Sequence, residues 1–281
     1  MRFGMNMLLW TGSVTDAHFP LLAKIKEWGF DGAEMALFDT DDAQVARTRR
    51  ELDNLGLACT TGAICSPETS PIAESAAVRS AALDHLKRRI DWSAALGSDV
   101  LMGPFHSPIG VFSGSGRTEY EWKRCVEVLR KAAEYAGSVG VKLSPEPLNR
   151  FECYFLNTAA DGNRLAAEVG HPSLGYLYDT FHSNIEERDI YRSFADNAAH
   201  INHVHISENH RGVPGTGHVH WRETFRAIRD SGYDGWLTIE AFGRALPELA
   251  AATCIWRDLF DREEDVAVQG LAFVKRMFVE A

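Results

Sequence analysis

The sequence predicts an α/β fold, a single (β/α)8 TIM barrel over residues 1–281. Three observations predict it. The length of 281 residues is close to that of one such barrel, roughly 250 residues. Amphipathic stretches that end at a glycine alternate with short apolar runs along the chain. No linker, low-complexity tract or charge block divides it.

Taken in order, the first strand reads at residues 3–9. Helix 17–28 ends at Gly29 ahead of strand 30–37, and helix 42–54 ends at Gly56 ahead of strand 57–64. Helix 74–96 closes at Gly97 before strand 99–103, and helix 117–139 at Gly140 before strand 141–146. Helix 158–168 with Gly170 precedes strand 174–179, and helix 189–199 runs into strand 201–206. Helix 221–231 with Gly232 precedes strand 236–240, and helix 265–279 ends the chain. A glycine just past a helix supplies the left-handed residue that closes it. Alternating strands and helices imply a parallel sheet, and continuous apolar strand runs fit strands covered on both faces. Eight units favour closure over a doubly wound open sheet, which usually has fewer strands or a clear second domain.

Composition narrows the function classes. The formal net charge of −10 argues against nucleic acid, which needs a basic surface, and equally against an anionic membrane. No run of 18 apolar residues is present, so no spanning helix is expected. The N-terminal stretch MRFGMNMLLWTG lacks the longer apolar region and cleavage site of a signal peptide and reads as a strand. Five scattered cysteines without a CxxC fit reduced thiols in a cytoplasmic protein.

In such barrels the site lies at the C-terminal ends of the strands. Those ends carry Glu34, the stretch 62–66, His106, Glu146, Asp179, His205 and Glu240. Loop amides readily satisfy one strand-end carboxylate. Four strands that end in Glu146, Asp179, His205 and Glu240 point instead to a metal. Hard oxygen ligands with one imidazole nitrogen suit Mn²⁺, Mg²⁺ or Co²⁺ better than the sulfur-rich sites of structural zinc.

The neighbours admit two readings each. His203 points to the same side of its strand as His205, as a second ligand or as a hydrogen-bonded histidine in a deeper layer. His106 lines the pocket or caps its loop, and Glu34 is a sugar contact or a structural acceptor. Trp10 and Phe242 form an apolar wall or belong to the core, and His210, His218 and His220 read as solvated loop residues. Pro145 and Pro147 bracket Glu146; proline cannot donate to a ladder, so they mark the strand end and fix where the carboxylate points. Glu152, six residues on, returns to the same mouth. His182 follows Asp179 by three residues and Arg211 follows His205 by six. With Glu152 they make a polar set suited to hydroxyl and carbonyl oxygens.

The segments FGMNMLLWT, GFDGAEMAL, GVKLSPEPLNRFE, YDTFHSNIEE, HVHISENHRGVPGTG and GWLTIEAF resemble the ketose 3-epimerases (tagatose/psicose 3-epimerases) of the xylose-isomerase-like barrels. The resemblance covers nearly the whole chain, and the gaps between motifs match as well as the residues. It implies that Glu146, Asp179, His205 and Glu240 bind one divalent metal, often Mn²⁺. It implies that Glu146 and Glu240 exchange the C3 proton of a free ketose from opposite faces, through an enediolate. Glu152, His182 and Arg211 then hold O1 and O2, and Phe242 lines the pocket. A homodimer or homotetramer is implied too. Asn6 stands where several relatives carry an aromatic, and the loops TGAICSPETSP and GPFHSPIG depart from the pattern, leaving the ketose itself open.

Three other functions compete. A hydroxypyruvate-isomerase-like or inosose-dehydratase-like enzyme shares the metal set but does not require Glu152, His182 and Arg211 at this spacing. An endonuclease IV-type enzyme needs several metals, more strand-end histidines and a basic groove, which the charge of −10 opposes. A non-catalytic sugar-binding barrel leaves paired carboxylates on different strands unexplained.

Overall fold

The structure is a computed structural model that describes residues 1–280. Eight parallel strands form the inner wall: β1 (Arg2–Asn6), β2 (Gly32–Ala36), β3 (Ala58–Gly62), β4 (Val100–Gly103), β5 (Lys142–Pro145), β6 (Tyr176–Asp179), β7 (Ile201–Ile206) and β8 (Trp236–Ile239). Their order is β5-β4-β3-β2-β1-β8-β7-β6. At the seam, Leu143 N donates to Ser173 O (2.7 Å) and Gly175 N to Leu143 O (3.0 Å), so β5 meets the residues just before β6 and the barrel nearly closes.

The outer layer is helical: α1 (Phe19–Glu27), α2 (Asp42–Leu55), α3 (Ala76–Leu96), α4 (Glu119–Ser138), α5 (Ala159–Val169), α6 (Thr180–Glu186), α7 (Ile190–Ala195), α8 (Trp221–Asp230), α9 (Pro247–Ala252) and α10 (Glu263–Glu280). The expected glycine stops are present: Gly56, Gly97 and Gly170 close α2, α3 and α5 in the left-handed conformation. The main core lies between strands and helices, with Leu22, Leu86, Leu129, Leu165 and Ile228 turned inward from five of them. None of the described helices is long and apolar enough to cross a membrane.

Four elements differ from the sequence reading, one of them α9, a short helix in a stretch to which the sequence reading assigns no element. β1 stops at Asn6 rather than residue 9, because the Asn6 side chain caps a short 3₁₀ turn, Met7–Leu9, by accepting from Leu8 N at 2.8 Å. A helix missing from the sequence reading, α6, begins directly after β6, where Asp179 caps its first amides. The helix expected at 189–199 is the shorter α7 followed by a 3₁₀ turn, Ala198–His200.

Register brings the polar strand ends into line. Asn6 of β1 pairs with Glu34 of β2, and Glu34 with Thr60 of β3. Asp179 of β6 pairs with His205 of β7, and His205 with Thr238 of β8. Side chains that point inward at one level of a barrel meet across it.

Candidate active site

His205 is the centre of the cluster and is fully buried. Its Nε2 lies 2.8 Å from Glu34 Oε1. A carboxylate accepts, so Nε2 carries a hydrogen and Nδ1 is the ring nitrogen left to face the cluster. Nδ1 has no hydrogen-bond partner and faces Glu240 Oε1 (3.4 Å), Asp179 Oδ2 (3.6 Å) and Glu146 Oε1 (3.8 Å). One ligand atom from each of these four residues falls within 4.8 Å of the others. An orphaned imidazole nitrogen ringed by three carboxylate oxygens fits one hard divalent cation.

Each member is oriented from its own strand end. Asp179 turns Oδ1 onto Phe181 N (2.5 Å) and His182 N (3.3 Å) as the cap of α6, which leaves Oδ2 for the cluster. Glu146 follows β5; its N–H donates to Gly103 O (3.1 Å) and its carbonyl accepts from His106 Nε2 (2.8 Å). His106 is buried behind Glu146 and stacked on Phe155, so it supports the site without lining it. Burial lowers the His106 pKa to about 4 and keeps it neutral. Glu240 follows β8 and accepts from Arg211 Nη1 at 2.7 Å and Asn6 Nδ2 at 3.4 Å.

The two glutamates titrate apart. Burial, with the carboxylates of Glu240 and Asp179, pushes Glu146 well above the usual carboxylate range. Burial acts on Glu240 too, but His205 and Arg211 outweigh it and hold Glu240 below its ordinary value. Burial opposes a charged His205, yet Glu240 and Glu34 raise its pKa well above normal.

Arg211, His182 and Glu152 come together beside this cluster. Arg211 Nη1 reaches Glu240, Ser207 Oγ (2.9 Å) and Asp179 Oδ2 (3.3 Å). Its guanidinium lies between Phe181, 3.7 Å from the ring centre, and Phe242, at 5.0 Å. His182 Nδ1 accepts from Asn149 N (3.0 Å), so its hydrogen is on Nε2, which sits 3.2 Å from Arg211 Nη2. Two donors face each other there and need a shared acceptor oxygen. Burial, with the charge of Arg211 against it, lowers the His182 pKa to about 3 despite Asp179. Asn149 Nδ2 also donates to Glu152 Oε1 (2.8 Å), which ties Glu152 to this pair.

Glu34 is a structural acceptor: it receives Asn6 Nδ2 (3.0 Å), Thr60 Oγ1 (2.8 Å) and His205 Nε2. His203 Nε2 stands 2.7 Å from Glu34 Oε2 without hydrogen-bond alignment, one layer below His205 and away from the carboxylate ring. Trp10 is stacked against Trp28, with ring centres 6.4 Å apart, and packs on the main core. Sequence reasoning gave no role to Asn6, Asn149, Phe181, Ser207 or Glu208. Asn149 lay within the PLNRFE segment, where its amide beside Glu152 was the available signal. A small cavity lined by Asn6, Phe38, Ile64, Met102, Glu146 and Glu240 opens above the cluster.

Comparison with known proteins fits this geometry. The family model for the xylose isomerase-like TIM barrel matches residues 22–277. A probable ketose 3-epimerase of Synechocystis sp. is 31% identical over 278 residues, 99% of this chain and 97% of that protein. The chain belongs to the ketose 3-epimerases of this barrel family. It is accordingly an enzyme of the isomerase class, and a ketose 3-epimerase of Arthrobacter globiformis is also 31% identical, over 98% of this chain and 96% of that one. Among solved structures, an L-ribulose 3-epimerase superposes with a TM-score of 0.94 at 30% identity, covering 99% of this chain and 95% of that chain. A D-allulose 3-epimerase from Methylomonas sp., in complex with D-allulose, gives 0.92 at 29% identity over 99% and 97%.

Proposed function

We propose that the protein inverts C3 of a free 2-ketose, a pentulose or hexulose of the kind for which its relatives are named. Glu146 and Glu240 act as the acid/base pair, and Glu146, Asp179, His205 and Glu240 hold one divalent cation, Mn²⁺ before Mg²⁺ or Co²⁺. The observation that carries this reading is two carboxylates from different strands, Glu146 and Glu240, that line one small cavity.

The C3 hydrogen of a 2-ketose is acidic only because its anion is an enolate. A bound divalent ion supplies Lewis-acid stabilisation of that charge, worth several kcal/mol. One glutamate removes the C3 proton from one face and the other delivers a proton to the opposite face. A positioned carboxylate typically contributes ~10²–10⁴-fold, or about 3–5 kcal/mol. The convergent Nε2–H of His182 and Nη2–H of Arg211 take the O1 and O2 oxygens, and Glu152 adds an acceptor through its tie to Asn149. Phe242 stacks on Arg211 at the same wall.

A base on one face cannot return its proton to the other, so the product proton comes from an acid in exchange with water. Conversion in D₂O therefore places deuterium at C3 of the product, read by NMR. Sugar converted with no label at C3 overturns the two-base epimerisation and favours hydrogen transfer between C1 and C2.

A homodimer or homotetramer completes the reading. Phe151 (69% exposed) and Trp256 (71% exposed) flank one cleft beside Arg211, apolar surface that a second copy would cover. Sedimentation equilibrium is expected to give a dimer or tetramer mass; a monomer at micromolar concentration contradicts it.

A further inference from the structure

Arg211 is carried by the loop between β7 and α8, and that loop is organised around a side chain with no part in the proposed reaction. Glu208 is fully buried. Its carboxylate accepts from four neutral donors: Asn209 N (3.0 Å), Gly215 N (2.7 Å), Val219 N (3.2 Å) and Trp221 Nε1 (3.1 Å). A buried carboxylate is tolerated only when its oxygens are satisfied. Here the partners come from both ends of one segment, so the carboxylate staples 208–221 into a closed loop.

Arg211 lies inside the staple with φ 63°, a left-handed conformation that a non-glycine residue keeps only where its surroundings enforce it. Two bonds enforce it: Arg211 N donates to Glu208 O (2.8 Å), and Phe242 N donates to Arg211 O (3.0 Å). The loop leaves no slack on the carboxylate side. A Cβ at Gly217 would lie 2.6 Å from Glu208 Oε1 and 2.0 Å from Asn209 Oδ1.

We propose that Glu208 is a positioning residue for the epimerisation, which fixes the loop geometry that aims the Arg211 guanidinium at the substrate oxygens. This rests on the reading of Arg211 as a substrate-binding group. A glutamate that merely stabilised the barrel would leave the contribution of Arg211 intact, whereas one that acts through Arg211 matters only while Arg211 is present.

A double-mutant cycle separates the two. kcat and KM on the best ketose, with saturating Mn²⁺, are measured for wild type, Glu208→Gln, Arg211→Ala and the double variant. Glu208→Gln keeps the size but turns an amide N–H₂ onto a ring of donors, and displacement of Arg211 is expected to lower kcat/KM by on the order of 10²-fold. In the Arg211→Ala background the same change is expected to cost no more than about twofold, since coupled residues are not additive. Losses that multiply in the double variant, or near-native kinetics in Glu208→Gln, overturn the proposal alone. Near-native kinetics in Arg211→Ala overturn the reading of Arg211 beneath it, and the proposal with it. Should Glu208→Gln fail to fold, Trp221→Phe removes one of the four donors and enters the same cycle with the same criteria.

Discussion

The free nitrogen of His205 depends on a residue that does not itself join the carboxylate ring. Glu34 accepts from Nε2 at 2.8 Å and thereby keeps a hydrogen on that nitrogen, so that Nδ1 is the atom a cation would take once its proton leaves. Burial works against a charged Glu34, but His205 and His203 outweigh it and hold it below its ordinary pKa, so it stays an acceptor. Glu34→Gln places an amide where a pure acceptor is required. We expect Mn²⁺ affinity, measured by titration calorimetry, to fall about 10–100-fold, the usual cost of losing a partner behind a ligating histidine. Unchanged affinity would show that the ring orients His205 without help. The ring itself was legible in the sequence, because each member ends a strand and hard-ligand chemistry restricts the residue types. Asn6, Asn149 and Glu208 were not. Amides have no metal-ligand signature, and Glu208 shows its role only when residues 209, 215, 219 and 221 fold around it.

At the scale of elements, strands and helices were legible where periodicity and a terminal glycine agree, as for α2, α3 and α5. They were least legible where a side chain competes with the backbone. Asn6 ends β1 by accepting from Leu8 N, and Asp179 starts α6 by accepting from Phe181 N; both residues also belong to the site. Hydrophobic patterns carry no trace of such caps. The end of β4 shows how an element sets the site. Gly103 has φ 122°, and a Cβ there would lie 2.4 Å from Ala63 O of the β3 end. Its own carbonyl accepts from Glu146 N at 3.1 Å. Gly103→Ala therefore separates the β3 and β4 ends and moves the backbone that aims Glu146. A cost of about 3 kcal/mol is expected from overpacking and backbone strain together. Thermal unfolding should fall by roughly 5–10 °C, with activity reduced in the folded fraction. A native melting temperature would mean that the two strand ends give way freely.

The whole barrel concentrates three carboxylates and one imidazole in a buried space, and their mutual repulsion and attraction shift how tightly each holds a proton. Without an ion, Glu146 is raised by burial and by Glu240 and Asp179; His205 is raised by Glu240 and Glu34 against its burial. A group with a raised folded pKa contributes stability present below its unfolded pKa and lost as pH rises through the folded one. For Glu146 that loss starts above the ordinary carboxylate value of 4.5, and for His205 above 6.5. Glu34 and Glu240, both depressed, contribute the opposite way and lose stability as pH falls. The melting temperature of the ion-free protein mixes the two signs. The difference between ion-saturated and ion-free protein isolates the first, because a cation must displace the protons of Glu146 and His205 to bind. We therefore expect the rise in melting temperature on adding Mn²⁺ to be larger at about pH 8 than at about pH 5.5, since proton competition weakens binding at the lower pH. Calorimetry in buffers of different ionisation heat should show protons released on binding. Equal thermal shifts at both pH values, with no proton release, would remove His205 and Glu146 from the ligand set.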